Sequence, residues 1–106
     1  MTKIGVSVRT DRCMVFMSGH AGYDMEGNDI VCHGLSMLGQ TLIVALRDAQ
    51  DRGIIQNLEE TIEDGYLEVV YRPVIHLVAN TILNTIFAGF RLVEANYPEY
   101  CEIHLT

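Results

Sequence analysis

The chain opens on an alternating stretch, "KIGVSVR", with Ile4, Val6 and Val8 on one face, a period that predicts a β-strand. "TDR" supplies a turn, and the apolar "CMVFMSG", Cys13 to Gly19, predicts a second strand paired to the first as a hairpin. Residues Ala21 to Asn28 lack periodicity and hold Gly22, Gly27 and Asn28, so they predict a loop. The pattern then changes. Leu35, Leu38, Leu42 and Leu46 recur at steps of three and four, which predicts an amphipathic helix from near Asn28 or Asp29 to Gly53.

The second half repeats this order of elements without repeating the sequence. "IIQNLEETIEDGYLEVVYRP" predicts a hairpin about the turn Asp64-Gly65, with Leu58, Ile62, Leu67, Val69 and Tyr71 apolar and a solvent face carrying Glu59, Glu63 and Glu68. Pro73 is expected to open a second helix reaching about Asn96, with Val78, Ile82, Ile86 and Phe90 as its core stripe. "EYCEIHL", with Cys101, Ile103 and Leu105 alternating, closes the chain as a strand. The predicted order is ββαββαβ. Two helices set apart from a mostly antiparallel sheet make an α+β fold, here as a single domain over residues 1–106.

Composition narrows the function classes. Seven basic and fourteen acidic residues give a formal net charge of -7. Such a chain is a poor non-specific binder of nucleic acid, which needs Lys and Arg on phosphates. Its field favours encounter with basic partners. The most apolar window, Pro73 to Phe90, is interrupted by His76, Asn80, Thr81, Asn84 and Thr85, which suits a buried helix and predicts no membrane span. A helix so poor in charge is buried on more than one side, which predicts a second copy against it. The N-terminus lacks the features of an export signal, and the cysteines number an unpaired three. Free thiols in a reducing, cytoplasmic setting are expected.

One stretch, "SGHAGYDMEGNDIVCHGLSML", does not read as packing. With Asp29 as the helix cap, Cys32 falls in the first turn, where free N–H groups and the macrodipole favour an anion. The thiolate is the reactive form of cysteine. His20 ends the second strand, and the loop between them is long enough to fold back, so the two side chains can meet. A thiolate that attacks and an imidazole that later protonates the leaving amine make a minimal nucleophilic set. Helix N–H groups near Cys32 are expected to hold the oxyanion. Asp29 and Ser36 share the helix face of Cys32. Asp29 has two readings, orienting His20 or only capping the helix. A metal site is not expected, because Cys32 and His33 point about 100° apart on the helix and no paired ligand spacing exists. No cofactor is expected either. Cys13 and Cys101 read as packing. From these residues alone, a non-enzymatic binding module with a buried thiol and a redox-sensing thiol protein both stay open.

The run "GHA" at Gly19 to Ala21, then "DIVC" at Asp29 to Cys32, then Ser36, resembles the ribosomal-processing cysteine protease family, Prp. The resemblance implies an α+β homodimer in the cytoplasm that removes the N-terminal extension of a large-subunit ribosomal protein, or processes a related phage virion protein. It implies cutting after an aromatic residue, with Cys32 as nucleophile and His20 as base and acid. Gly19, Asp29 and Ser36 then take supporting roles. The loop of Ala21, Gly22, Tyr23, Asp24, Glu26, Gly27 and Asn28 becomes a substrate-binding segment over the site. The implied substrate is a protein with a basic, flexible N-terminus, and Asp24 and Glu26 are expected to meet its basic residues. The family usually has small residues after its cysteine. His33 departs from that and is expected to line the substrate groove or to offer a second imidazole.

Overall fold

The computed structural model describes residues 1–25 and 27–106; Glu26 lies outside the described residues. Seven elements follow the predicted order: β1 (Thr2–Val8), β2 (Cys13–Ser18), α1 (Ile30–Asp51), β3 (Ile55–Glu63), β4 (Tyr66–Pro73), α2 (His76–Asn96) and β5 (Cys101–Leu105). The strands form one sheet in the order β3-β4-β2-β1-β5, antiparallel throughout except for the parallel pair of β1 and β5. The fold is α+β.

This topology places both helices. The chain leaves β2, passes through α1 and skips over β4 to reach β3. It leaves β4, passes through α2 and skips over β2 and β1 to reach β5. Each crossover joins parallel strands, and such crossovers are right-handed. Because β2 and β4 run in opposite directions and the two crossovers travel in opposite directions, one handedness puts both helices on one face. There α1 and α2 pack on each other.

Between them and the sheet lies the core. Ile4, Val15, Val69 and Tyr71 from the strands meet Leu35, Leu42 and Leu46 of α1 and Leu83 and Phe90 of α2, all with at most 2 % exposure. Although α1 is long and apolar enough to cross a membrane, its buried stripe makes it a core helix here. Leu38 of α1 crosses Gly89 of α2 so closely that a Cβ at Gly89 would lie 2.6 Å from the leucine methyl.

Two local expectations are corrected, and two apolar strand residues lie outside the core. Pro73 does not open α2 but ends β4, opposite Ile55, and α2 begins after Ile75 without a side-chain cap. The buried stripe of α2 is Ala79, Leu83, Ile86 and Phe90, whereas Val78 is exposed and Ile82 half-buried. Three successive steps of four drift about 120° around a helix, so Val78 and Phe90 cannot share a stripe; steps of four, three and four stay aligned. Val8, at the end of β1, is exposed. Ile62 is exposed as well, because β3 runs past the packed part of α1 and leaves a groove between them. A bulge between Gln56 and Glu59, with Asn57 at φ 59°, shifts the alternation of β3. Glu60 thus faces α1, where its carboxylate accepts from Arg47 Nε at 2.7 Å.

The corrected pattern predicts unequal costs for two truncations. Leu42→Ala is expected to lower stability by about 2–5 kcal/mol, the cost of emptying a closed core position. Ile62→Ala is expected to change it by less than about 0.5 kcal/mol, as at an open surface. Urea denaturation of both variants checks this, and equal midpoints would refute the placement.

Candidate active site

The site forms where β2 ends and α1 begins, with the β3–β4 turn beside them. Gly19 makes the exit from β2. It adopts φ +90°, and a Cβ there would lie 2.8 Å from the Met1 carbonyl oxygen, so both conformation and space call for glycine. Its neighbours pin it twice. The buried Thr2 hydroxyl donates to the Gly19 carbonyl at 3.0 Å, and the Gly19 N–H donates to the Gly65 carbonyl at 2.8 Å. His20 therefore leaves a backbone fixed from both sides, and its half-exposed ring sits over the Asp64-Gly65 turn.

Asp29 caps α1 as the spacing predicted, and it does more. Oδ1 accepts from the N–H groups of Val31 and Cys32, each at 3.0 Å. Oδ2 accepts from the N–H of Tyr23 at 2.9 Å and of Asp24 at 3.4 Å. The carboxylate is 2 % exposed. Burial alone would raise its pKa, but these four donors outweigh burial and hold it below the ordinary carboxylate range. With both oxygens occupied by backbone, Asp29 caps the helix and ties the loop to it; it does not orient His20.

Cys32 occupies the third helical position, half-buried, with its Sγ accepting from the Ala21 N–H at 3.1 Å. A cavity of about 810 Å³ opens beside it and runs along α1 through Ser36, Gln40 and Val44 to Arg47. His20, His33, Asp24, Gly27, Asp29, Glu63 and Asp64 also line it, with Met17, Leu35, Ile43 and Leu67 as apolar floor.

Several sequence expectations gain or lose detail here. Cys32 and His20 share the cavity but form no hydrogen bond with each other; His20 Nε2 instead faces Asp64 Oδ1 at 3.8 Å. The helix N–H groups expected to hold an oxyanion are spent, those of Val31 and Cys32 on the Asp29 carboxylate and that of His33 on the Asp29 carbonyl. Ser36 lines the cavity and accepts from Gln40 Nε2 at 3.3 Å. Within the loop, Asp24 and Gly27 reach the cavity. Ala21 is buried, with its N–H on the sulfur, while Gly22 and Asn28 are exposed away from it. Tyr23 turns outward and packs edge-on against Tyr97 and Tyr100, with ring centroids at 5.4 and 5.2 Å. Glu26 lies outside the described residues. Sequence reasoning missed Asp64 and Thr2; only the Asp-Gly turn signal pointed near the first. Cys13 and Cys101 are buried in the core, and burial pushes the Cys101 thiol up to about 11. No metal-binding cluster occurs among the described residues.

The Asp29 bonds generate a pH-dependent expectation. Its folded pKa lies below the unfolded one, so its stabilisation is full above the ordinary carboxylate value and is lost as pH falls through the folded value. Asp29→Ala is expected to cost about 1–2 kcal/mol at neutral pH. The gap to wild type should narrow below about pH 4. Urea denaturation at pH 7 and pH 3 measures this, and an equal gap at both would contradict it.

Comparison with known proteins gives the fold and the family. The chain is similar in fold, over its full length, to the ribosomal processing protease Prp from S. aureus. One such structure, with a covalently linked product peptide, has 23 % identity and a TM-score of 0.73, and all of both chains is covered. Another, with a substrate peptide, has 22 % identity and a TM-score of 0.68, again with both chains fully covered. SMU.848 from Streptococcus mutans matches with 22 % identity and a TM-score of 0.68, covering all of this chain and 94 % of that one. No curated protein gives a significant sequence match. The family model for cysteine protease Prp matches residues 1–102, and the chain belongs to that family of cysteine proteases.

Proposed function

We propose that this protease removes the N-terminal extension of a large-subunit ribosomal protein, or of a related phage virion protein, through a Cys32–His20 dyad. The observation that carries the reading is Cys32 Sγ at the first turn of α1, accepting the Ala21 N–H, in a cavity that His20 also lines. The peptide-bound ribosomal processing proteases of the same fold support a protein substrate. In the proposed reaction the Cys32 proton passes to His20. The thiolate adds to the scissile carbonyl, and the tetrahedral intermediate collapses to a thioester as the imidazolium protonates the departing amine. Water, deprotonated by His20, then hydrolyses the thioester.

The groove between α1 and β3 suits an extended peptide. Its apolar floor of Met17, Leu35 and Leu67 suits an aromatic side chain, and its exposed acidic residues Asp24, Glu63 and Asp64 suit a basic segment. Surface pairs of that kind contribute roughly 0–1 kcal/mol each, so they tune encounter more than turnover. We further propose a cytoplasmic homodimer. Leu77 and Leu92 on α2 and Met37 on α1 are each more than 60 % exposed, which leaves apolar helix surface for a second copy.

Incubation with the source organism's own ribosomal precursor tests the activity. Cys32→Ala is expected to abolish cleavage, and His20→Ala to slow it by about 10²–10⁴-fold. Undiminished cleavage by either variant would overturn the dyad. Sedimentation at micromolar concentration is expected to show a species of twice the 11.9 kDa protomer mass, and a protomer alone would overturn the dimer.

A further inference from the structure

The β3–β4 turn lies directly against the His20 ring. Asp64 Oδ1 lies 3.8 Å from His20 Nε2, and it is the acidic group that the described residues pair with this ring. The two are not neighbours by accident of a floppy surface. The Gly65 carbonyl, one residue on, accepts the N–H of Gly19, one residue before His20, at 2.8 Å. Turn and imidazole are thereby held in register by a backbone bond. Gly65 adopts φ +71°, and a Cβ there would lie 3.2 Å from His20 Nε2, so the bare turn backbone forms the seat of the ring.

We propose that Asp64 is a positioning residue for His20, a part that the sequence suggested for Asp29. The inference rests on the Cys32–His20 reading above. With Nε2 turned to Asp64, Nδ1 is the nitrogen left to take the Cys32 proton. When it does, the ring becomes cationic, its Nε2–H points at the Asp64 carboxylate, and the thiolate–imidazolium pair gains over the neutral pair. No other atom changes charge. In the open cavity the pair is solvated, with side-chain exposures of 49 % for His20 and 88 % for Asp64. A peptide lying in the groove would exclude water from both, which strengthens the attraction. The other titratable groups sharing the cavity are Cys32, His33 and Arg47 from α1, Asp24 and Asp29 from the loop, Glu63 from β3 and Tyr66 from β4, with Arg47 paired to Glu60 at the far end. Asp29 is saturated by backbone donors, and the Tyr66 hydroxyl is bonded to Glu68 at 2.7 Å.

The test needs no knowledge of the substrate. The rate of Cys32 alkylation by iodoacetamide is followed by intact mass across pH, in wild type, Asp64→Asn, Asp64→Glu, Glu63→Gln and His20→Ala. Asp64→Asn is expected to move the onset of reaction to higher pH by about 0.3–0.7 unit, in the same direction as His20→Ala. Asp64→Glu should restore most of the shift, and Glu63→Gln should leave the onset in place although it removes a charge from the same cavity. Thermal melting should not change on Asp64→Asn, since the residue is exposed. An Asp64→Asn profile that superimposes on wild type, while His20→Ala shifts, overturns the role of Asp64 alone. Equal shifts from Asp64→Asn and Glu63→Gln overturn it in favour of a general acidic field. A His20→Ala profile identical to wild type overturns the dyad and this inference together.

Discussion

One carboxylate holds the corner around Cys32 together. Asp29 gathers four backbone N–H groups, two from the first turn of α1 and two from the loop that precedes it. A helix end leaves such donors without partners, and a buried donor left unpaired costs about 1–3 kcal/mol. The same bonds draw the loop against the helix start, which delivers the Ala21 N–H to the Cys32 sulfur. Capping the helix and placing Cys32 are thus one arrangement. A carboxylate is the side chain that suits it, because it accepts on both oxygens and its charge strengthens every bond.

That arrangement has an electrostatic consequence. A carboxylate near a sulfur opposes a second negative charge there, and pairing with His20 would have relieved the conflict. Asp29 makes no such pair. Its charge is instead spread over four amide dipoles, and it takes up the N–H groups of Val31 and Cys32 that a helix tip would otherwise offer an anion. Support for a thiolate is therefore shifted away from the helix tip itself, toward the Ala21 N–H and the imidazole across the cavity. The topology supplies that second element. The crossover through α1 sets its start beside the end of β2, and the pairing of β2 with β4 brings the Asp64-Gly65 turn to the same corner.

Much of this was legible in the residues. Strand period, the Asp-Gly turn and the Asp29 cap each depend on neighbours in sequence, so the element order and the place of Cys32 at the third helical position followed directly. The errors arose where distant parts decide. The phase of α2 is not legible in a helix apolar on most sides, and the pairing of Pro73 with Ile55 at the end of β4 is invisible locally. Alternation says which face Ile62 takes, not whether anything covers that face. The oxyanion reading carried an internal conflict that sequence reasoning could have caught: a side chain that caps the helix consumes the very amides assigned to the intermediate.

The position of His20 follows the same division between local and distant causes. Its place after Gly19 is local, but its orientation is set by Thr2 at the start of the chain and by a turn that only the folded sheet brings near. Such a ring is held at its backbone and free at its tip, with one nitrogen toward Asp64 and the cavity open beside it. Such a half-exposed ring turns about its side-chain bonds in picoseconds to nanoseconds. The structure thus stores its precision in the backbone around Cys32 and His20 and leaves the tip of the ring free to turn.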